Sequence, residues 1–189
     1  MKASLPLAAG LLAAGILVGF FFSGSFVPTG LLTLSENVSF SSLRVTFCPS
    51  PECTTLPISV LDAAQNRIHV AMYSFTNEDF SDALIRAHER GVDVKVVVEK
   101  QQAGSQYSQH AALADAGVPV RIDTNPNLMH HKFAVIDGEK TITGSMNWTG
   151  NGVGENNENE LVLNSPEANN QFEEEFEKIW EESQPYAGG

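Results

Sequence analysis

Cysteine is nearly absent from this sequence: Cys48 and Cys53, in the hexapeptide CPSPEC, are the only two. No CxxC pair and no Cys/His cluster accompanies them, which argues against a structural zinc site. HExxH and DxD patterns are missing as well, so the common metal-hydrolase signatures have no counterpart here. Positive charge is scarce, with 11 Lys and Arg against 23 Asp and Glu and a net charge of −12. No basic stripe of the kind that tight duplex binders carry can be drawn. The deficit is local, however. From Glu155 onward there are ten acids and one base, Lys178, whereas residues 1–154 hold 13 acids and ten bases. Charge therefore neither demands nor excludes a nucleic-acid partner. Internal repeats are lacking too, and the acidic tract QFEEEFEKIWEE reads as the wet face of one helix.

What the sequence does have, first, is a long apolar run. Leu5 to Phe22 is 18 residues without a charge, preceded only by Lys2. That length just reaches what a helix needs to cross a bilayer. Ser23-Gly24-Ser25 offers small residues at a cleavage point, so a cleaved signal peptide stands beside a retained signal anchor. The length of the run favours the anchor, and a buried core helix is the third reading. With Lys2 inside, the rest of the chain is expected outside the cytoplasm, tethered to the membrane or secreted after cleavage. An exported domain in turn favours a disulfide between Cys48 and Cys53, with two unrelated thiols as the alternative. The expected division is 1–27 as signal anchor or signal peptide, 28–42 as linker, and 43–185 as one folded domain.

Within that domain, strand and helix patterns alternate. LRVTF opens with a strand, ISVLDAAQ (58–65) has helical spacing, and RIHVAMYSF (67–75) is a buried strand. NEDFSDALIRAHERG follows as a helix capped by Asn77 and closed by Gly91. VDVKVVVE (92–99) is a strand, SQYSQHAALADAG (105–117) a helix, and VPVRID (118–123) a short strand that Pro119 places at an edge or a first position. KFAVID and KTITGS make an antiparallel pair, ELVLN adds a strand, and PEANNQFEEEFEKIWEES closes with an amphipathic helix. The alternation predicts an α/β fold whose mixed sheet has a parallel portion and helices on its faces.

The stretch MHHKFAVIDGEKTITGSMNW, residues 129–148, concentrates phosphate-friendly side chains around an apolar centre. Asp137-Gly138 between two apolar runs is a turn signal, so the stretch folds into a hairpin with strands near 131–136 and 140–145. The start of the first strand then lies beside the end of the second. Side chains two apart on a strand point the same way, so His130 and Lys132 share a face, as do Ser145 and Asn147, at one end of the sheet. Lys132 supplies charge for a phosphate oxygen, Ser145 and Asn147 supply neutral donors, and His130 supplies a nucleophile or proton shuttle that titrates near neutrality. Metal binding fits worse, because consecutive His130 and His131 face opposite ways and no carboxylate cluster stands nearby. On spacing alone, a surface hairpin with a polar rim explains the pattern about as well as an active site does.

The same residues fit the HxKx4Dx6GSxN signature without a gap, at His130, Lys132, Asp137, Gly144, Ser145 and Asn147. In this the chain resembles the phospholipase D superfamily. AMYSFT, RGVDVKVVVE, NNENELVL and FEKIWEE extend the likeness over residues 43–183, to its single-motif subgroup of Nuc-type bacterial endonucleases and the mitochondrial phospholipase D/Zucchini group. The resemblance implies a phospholipase D-like mixed sheet and metal-independent phosphodiester cleavage without a cofactor. It makes His130 the nucleophile that forms a phosphohistidine, with Lys132 and Asn147 on the non-bridging oxygens and Ser145 helping to place the phosphate. Glu158 would hydrogen-bond the nucleophilic imidazole, and Asp137, at the turn, would be structural. Only one copy of the motif is present, and His69, His88 and His110 lack matching partners. A homodimer with both motifs in one cleft is therefore expected, the partner's His130 acting as general acid, while His131 faces away and Phe133 and Trp148 pack. The resemblance leaves the substrate open: nucleic acid ranks first, phospholipid such as cardiolipin second. A catalytically silent phosphate-binding module is the reading from another class.

Overall fold

A computed structural model describes residues 41–187. The expected anchor at 1–27 and nearly all of the expected linker lie outside the described residues. Among the described residues, no helix is long and apolar enough to cross a membrane.

The chain runs β1 (Ser42–Cys48), α1 (Glu52–Asp62), β2 (Arg67–Met72), α2 (Glu78–Glu89), β3 (Asp93–Val98), α3 (Lys100–Ala103), α4 (His110–Asp115) and β4 (Val120–Ile122). It continues with β5 (Lys132–Ile136), β6 (Lys140–Gly144), α5 (Gly150–Gly154), β7 (Glu158–Asn164), α6 (Pro166–Glu182) and β8 (Gln184–Pro185). All eight strands form one sheet in the order β1-β7-β6-β5-β2-β3-β4-β8. β2, β3 and β4 are parallel neighbours, and the remaining pairs are antiparallel. This is the mixed α/β sheet that the alternation predicts.

The central strands are buried on both faces, which is why RIHVAM and DVKVVV read as nearly unbroken apolar runs. On one face Ile68, Val70, Val96, Ala134 and Ile142 pack with Leu61 of α1 and Phe80 and Leu84 of α2. On the other, Ala71, Val97, Phe133 and Val135 pack against Phe176 and Ile179 of α6. Asn77 caps α2 through its side chain, accepting from the Asp79 amide at 2.9 Å, and Gly91 follows the helix with φ +88°, a conformation that favours glycine.

Two boundaries differ from expectation. α1 begins at Glu52, six residues early, and carries Pro57 inside it. Its first turn is secured by a disulfide from Cys53 to Cys48 at the end of β1, both residues buried. The helix expected over 105–117 shrinks to His110–Asp115, because Ser105–Ser108 folds into a turn instead. Of the two places that Pro119 allowed, the structure shows the start of the strand: Pro119 immediately precedes β4, and the two-residue β8 pairs along that strand's outer side. The true edge on the other side is β1, whose Leu43, Val45 and Phe47 are exposed, Phe47 by 72%.

Candidate active site

The hairpin forms as its spacing predicts. Phe133 pairs with Thr143 and Ile136 with Lys140, so the entry to β5 lies beside the exit of β6. Asp137 and Gly138 turn the corner with φ of 54° and 76°. The Asp137 carboxylate also accepts three backbone N–H groups, from Gln65 at 2.9 Å, Asn66 at 2.8 Å and Arg67 at 3.0 Å. It thereby fastens the hairpin tip to the start of β2. Burial pushes this carboxyl up, but the three amides and the charge of Lys140 outweigh it and hold the group below the usual carboxylate range. Five residues of strand place Asp137 ~17 Å from Lys132, so its role is structural, as expected. Asp137→Ala should cost about 2 kcal/mol of stability, because three amides lose their acceptor. Urea unfolding measures that loss, while kcat of the folded enzyme should stay within a few-fold. The sign of the pKa shift makes this contribution present above the unfolded-state pKa and lost as pH falls through the lower folded value.

At the other end of the hairpin the chemistry-bearing groups converge. Lys132 Nζ stands 3.2 Å from Nδ1 of His130 and donates to its carbonyl at 2.9 Å. Partial burial lowers the Lys132 pKa, and the nearby charge of Glu158 works in the opposite direction. Two glycines explain the local chain path. A Cβ at Gly144 would stand 2.2 Å from the carbonyl oxygen of Asn159, so the signature glycine lets β6 approach β7 where the site begins. A Cβ at Gly152 would stand 2.3 Å from the Asn147 carbonyl oxygen, so the first turn of α5 can press onto the residue that carries Asn147. Asn147 lines an open cleft of about 620 Å³ together with Tyr73, Gln102, Tyr107 and Asn156. Its Oδ1 is buried, which leaves the amide nitrogen as the end that a phosphate oxygen can reach.

Ser145 and Glu158 engage each other in this structure. Ser145 donates to Glu158 at 2.5 Å and accepts from the Asn159 amide at 3.0 Å, so its hydroxyl organises the β6–β7 junction. Glu158 is engaged by Ser145 and by Asn156 at 3.1 Å, and no hydrogen bond joins it to His130 among the described residues. β6 lies between β7, which carries Glu158, and β5, which follows His130, and the charge of Glu158 still acts on Lys132 beside that histidine. The ring of His130 instead leans on Tyr73, with centroids 4.4 Å apart. Tyr73 belongs to the AMYSFT stretch, and its place beside β5 follows from the β2–β5 pairing, which periodicity alone does not give.

His131 points to the other side, near Glu175 of α6 at 3.5 Å, as alternation demands. Phe133 and Trp148 are buried packing residues, Trp148 stacking on Phe80. His69 is buried on the α6 face, stacked on Phe176 and bonded to Glu173 at 2.8 Å. His69, Glu173 and Glu177 are spaced closely enough to hold a metal ion. Arg67 and Lys95 already pair with the two glutamates, and the group belongs to the α6 face, apart from His130.

Comparison with known proteins places this arrangement. A family profile described as cardiolipin synthase, PLD-like domain, matches residues 58–180. The mitochondrial cardiolipin hydrolase of Chlamydomonas reinhardtii is 32% identical over 183 residues, covering 95% of this chain and 80% of that protein. The protein of the same name from Danio rerio is 40% identical over 124 residues, 65% of this chain and 55% of its own length. The chain thus spans most of the algal relative but little more than half of the fish one. Among solved structures, Nuc from Salmonella typhimurium is similar with a TM-score of 0.73 and 33% identity, covering 78% of this chain and 99% of that one. NucT from Helicobacter pylori shares the fold at a TM-score of 0.68 and 21% identity, covering 77% of this chain and all of that one. With His130, Lys132, Asn147 and the GSxN turn gathered at one end of the sheet, the chain belongs to the phospholipase D superfamily, as a phosphodiesterase with a single-motif PLD-like domain.

Proposed function

We propose that the protein cleaves phosphodiesters through a phosphohistidine on His130, with nucleic acid as the substrate class. The observation that carries the mechanism is the pairing of the His130 ring with the Lys132 ammonium at 3.2 Å, against the ring of Tyr73, which in turn lines the open polar cleft together with Asn147. One imidazole nitrogen attacks phosphorus, the P–O bond to the first alcohol breaks, and a P–N bond forms. Lys132 and Asn147 hold the non-bridging oxygens and stabilise the charge that builds on them. The departing alkoxide takes a proton from the partner's His130 in a two-fold dimer. The same group, now neutral, accepts a proton from the water that breaks the P–N bond, which releases the phosphomonoester and restores His130.

Nucleic acid is favoured by the cleft wall, which is built of hydroxyls and amides such as Thr76, Gln102, Asn151 and Asn156, with the exposed ring of Tyr107 among them. An acyl chain would find little apolar surface there. The phospholipid reading draws on a different observation, the exposed Leu43, Val45 and Phe47 of β1, together with relatives named for cardiolipin hydrolysis. The purified protein should be assayed in EDTA against single- and double-stranded DNA, RNA and cardiolipin vesicles. Nucleic-acid cleavage in chelator supports the proposal. Lipid turnover alone would replace the substrate, and a strict metal requirement would remove the mechanism.

A further inference from the structure

His130 is exposed, and the carboxylate expected to orient it is engaged elsewhere. An exposed imidazole has to be held in its aim at phosphorus, because misplacing a reacting group by about 1 Å costs on the order of 100-fold in rate. The ring of Tyr73 touches both active groups. It lies 4.4 Å from the His130 ring at an interplanar angle of 53°, and Lys132 Nζ stands 5.1 Å from its centroid. Ring faces carry partial negative charge, so the ammonium is attracted to this one. The backbone fixes the same pairing, since Met72 is opposite Lys132 in the β2–β5 register and the Tyr73 amide donates to the His131 carbonyl at 2.8 Å.

Tyr73 is itself held from the cleft side. Gln102 donates to its hydroxyl at 3.2 Å. Gln102 sits on α3, a single turn that the wholly buried Glu99 caps by accepting the amides of Gln101 at 2.7 Å and Gln102 at 2.9 Å. A continuous line of contacts therefore runs from Glu99 through α3 and Gln102 to Tyr73, and from Tyr73 to His130 and Lys132. α3 also forms part of the wall of the cleft that Asn147 lines.

We propose that Tyr73, steadied by Gln102, is the positioning residue that sets the orientation of the His130 ring and the place of the Lys132 ammonium. This rests on the reading of His130 as nucleophile. Tyr73 acts through those two groups and takes no part in bond making, so its loss lowers kcat far more than it raises KM.

The test is a variant series in the full chain, with folding checked by circular dichroism and phosphohistidine formation followed by rapid quench. Tyr73→Leu removes the ring and should lower kcat and the rate of phosphohistidine formation 30- to 100-fold, with KM within threefold. Tyr73→Phe keeps the ring and should retain at least a third of kcat. Equal losses in the two variants, or no loss in Tyr73→Leu, would overturn the proposal. Should Tyr73→Leu fail to fold, Gln102→Ala decides: a three- to tenfold fall in kcat at unchanged KM supports the positioning line, and an unchanged kcat removes it. His130→Ala, run alongside, separates the two ideas. Retained activity there would dispose of the nucleophile reading itself, whereas an inactive His130→Ala with a fully active Tyr73→Leu would dispose only of the role of Tyr73.

Discussion

His130→Ala is expected to lower turnover by on the order of 10⁴-fold while leaving the protein folded. The folded part follows from position: His130 is exposed and precedes β5, so the sheet does not depend on its side chain. The size of the loss follows from the proposed two-fold dimer. In a two-fold dimer with one cleft, a single substitution removes the nucleophile from one protomer and the general acid from the other. Lys132 and Asn147 remain and still stabilise charge on a phosphate, which leaves a small residual rate over solution. The measurement is kcat/KM on a chromogenic phosphodiester in EDTA, together with a search for acid-labile phosphate on the protein. A wild-type rate in the variant would refute the covalent mechanism. A catalytically silent module would show no turnover in either protein, so the same assay decides that alternative.

A gain of stability is expected from Glu160→Leu. Glu160 stands in β7 opposite Thr46 of β1 and Gly144 of β6, and it is 3% exposed. Neither of its carboxylate oxygens has a hydrogen-bond partner among the described residues. Burial pushes its pKa up to about 8, so the folded protein holds this carboxyl protonated at neutral pH. The unfolded chain, with an ordinary glutamate, releases that proton from about pH 4.5 upward. Between these values the native state binds the extra proton, so folding stability falls as pH rises from about 4.5 and levels off above about 8. The accumulated cost at pH 7 is on the order of 3 kcal/mol. Leucine, close in size and without a charge to bury, should recover most of it and raise Tm by roughly 5–10 °C at pH 8. Urea unfolding at pH 5 and pH 8 provides the check. The wild type should lose stability between the two, and the variant should lose clearly less; identical slopes would show that Glu160 is not the group responsible.

Local signals carried much of this architecture. Asp137-Gly138, the Asn77 cap and Gly91 each require a particular backbone conformation, so a few residues specify the hairpin and the ends of α2. The grouping of His130, Lys132, Ser145 and Asn147 likewise follows from strand alternation and one turn. What stayed hidden depends on distant neighbours. Helical spacing is legible only from Ile58, yet α1 begins at Glu52 and runs through Pro57, its first turn linked to β1 by Cys53. β8 is two residues long and has no period to read; it exists because β4 offers it an edge. The contacts of Glu158 with Ser145 and Asn156 depend on which strands become neighbours, which motif spacing does not give. Tyr73 and Glu160 were invisible for a similar reason, since contact with His130 and burial without a partner are both products of which strands become neighbours.

The disulfide ties more together than a short loop. Cys48 lies directly opposite Glu158 in the β1–β7 register, and Glu158 holds the hydroxyl of Ser145. Closing so small a ring stabilises the fold by about 2 kcal/mol in the chain-entropy account. In a thiol-rich compartment the edge strand would be fastened by its ladder and packing alone, next to the residues that organise the phosphate end of the sheet. While both cysteines are oxidised, a covalent link therefore secures the edge strand that lies directly beside the contact between Glu158 and Ser145.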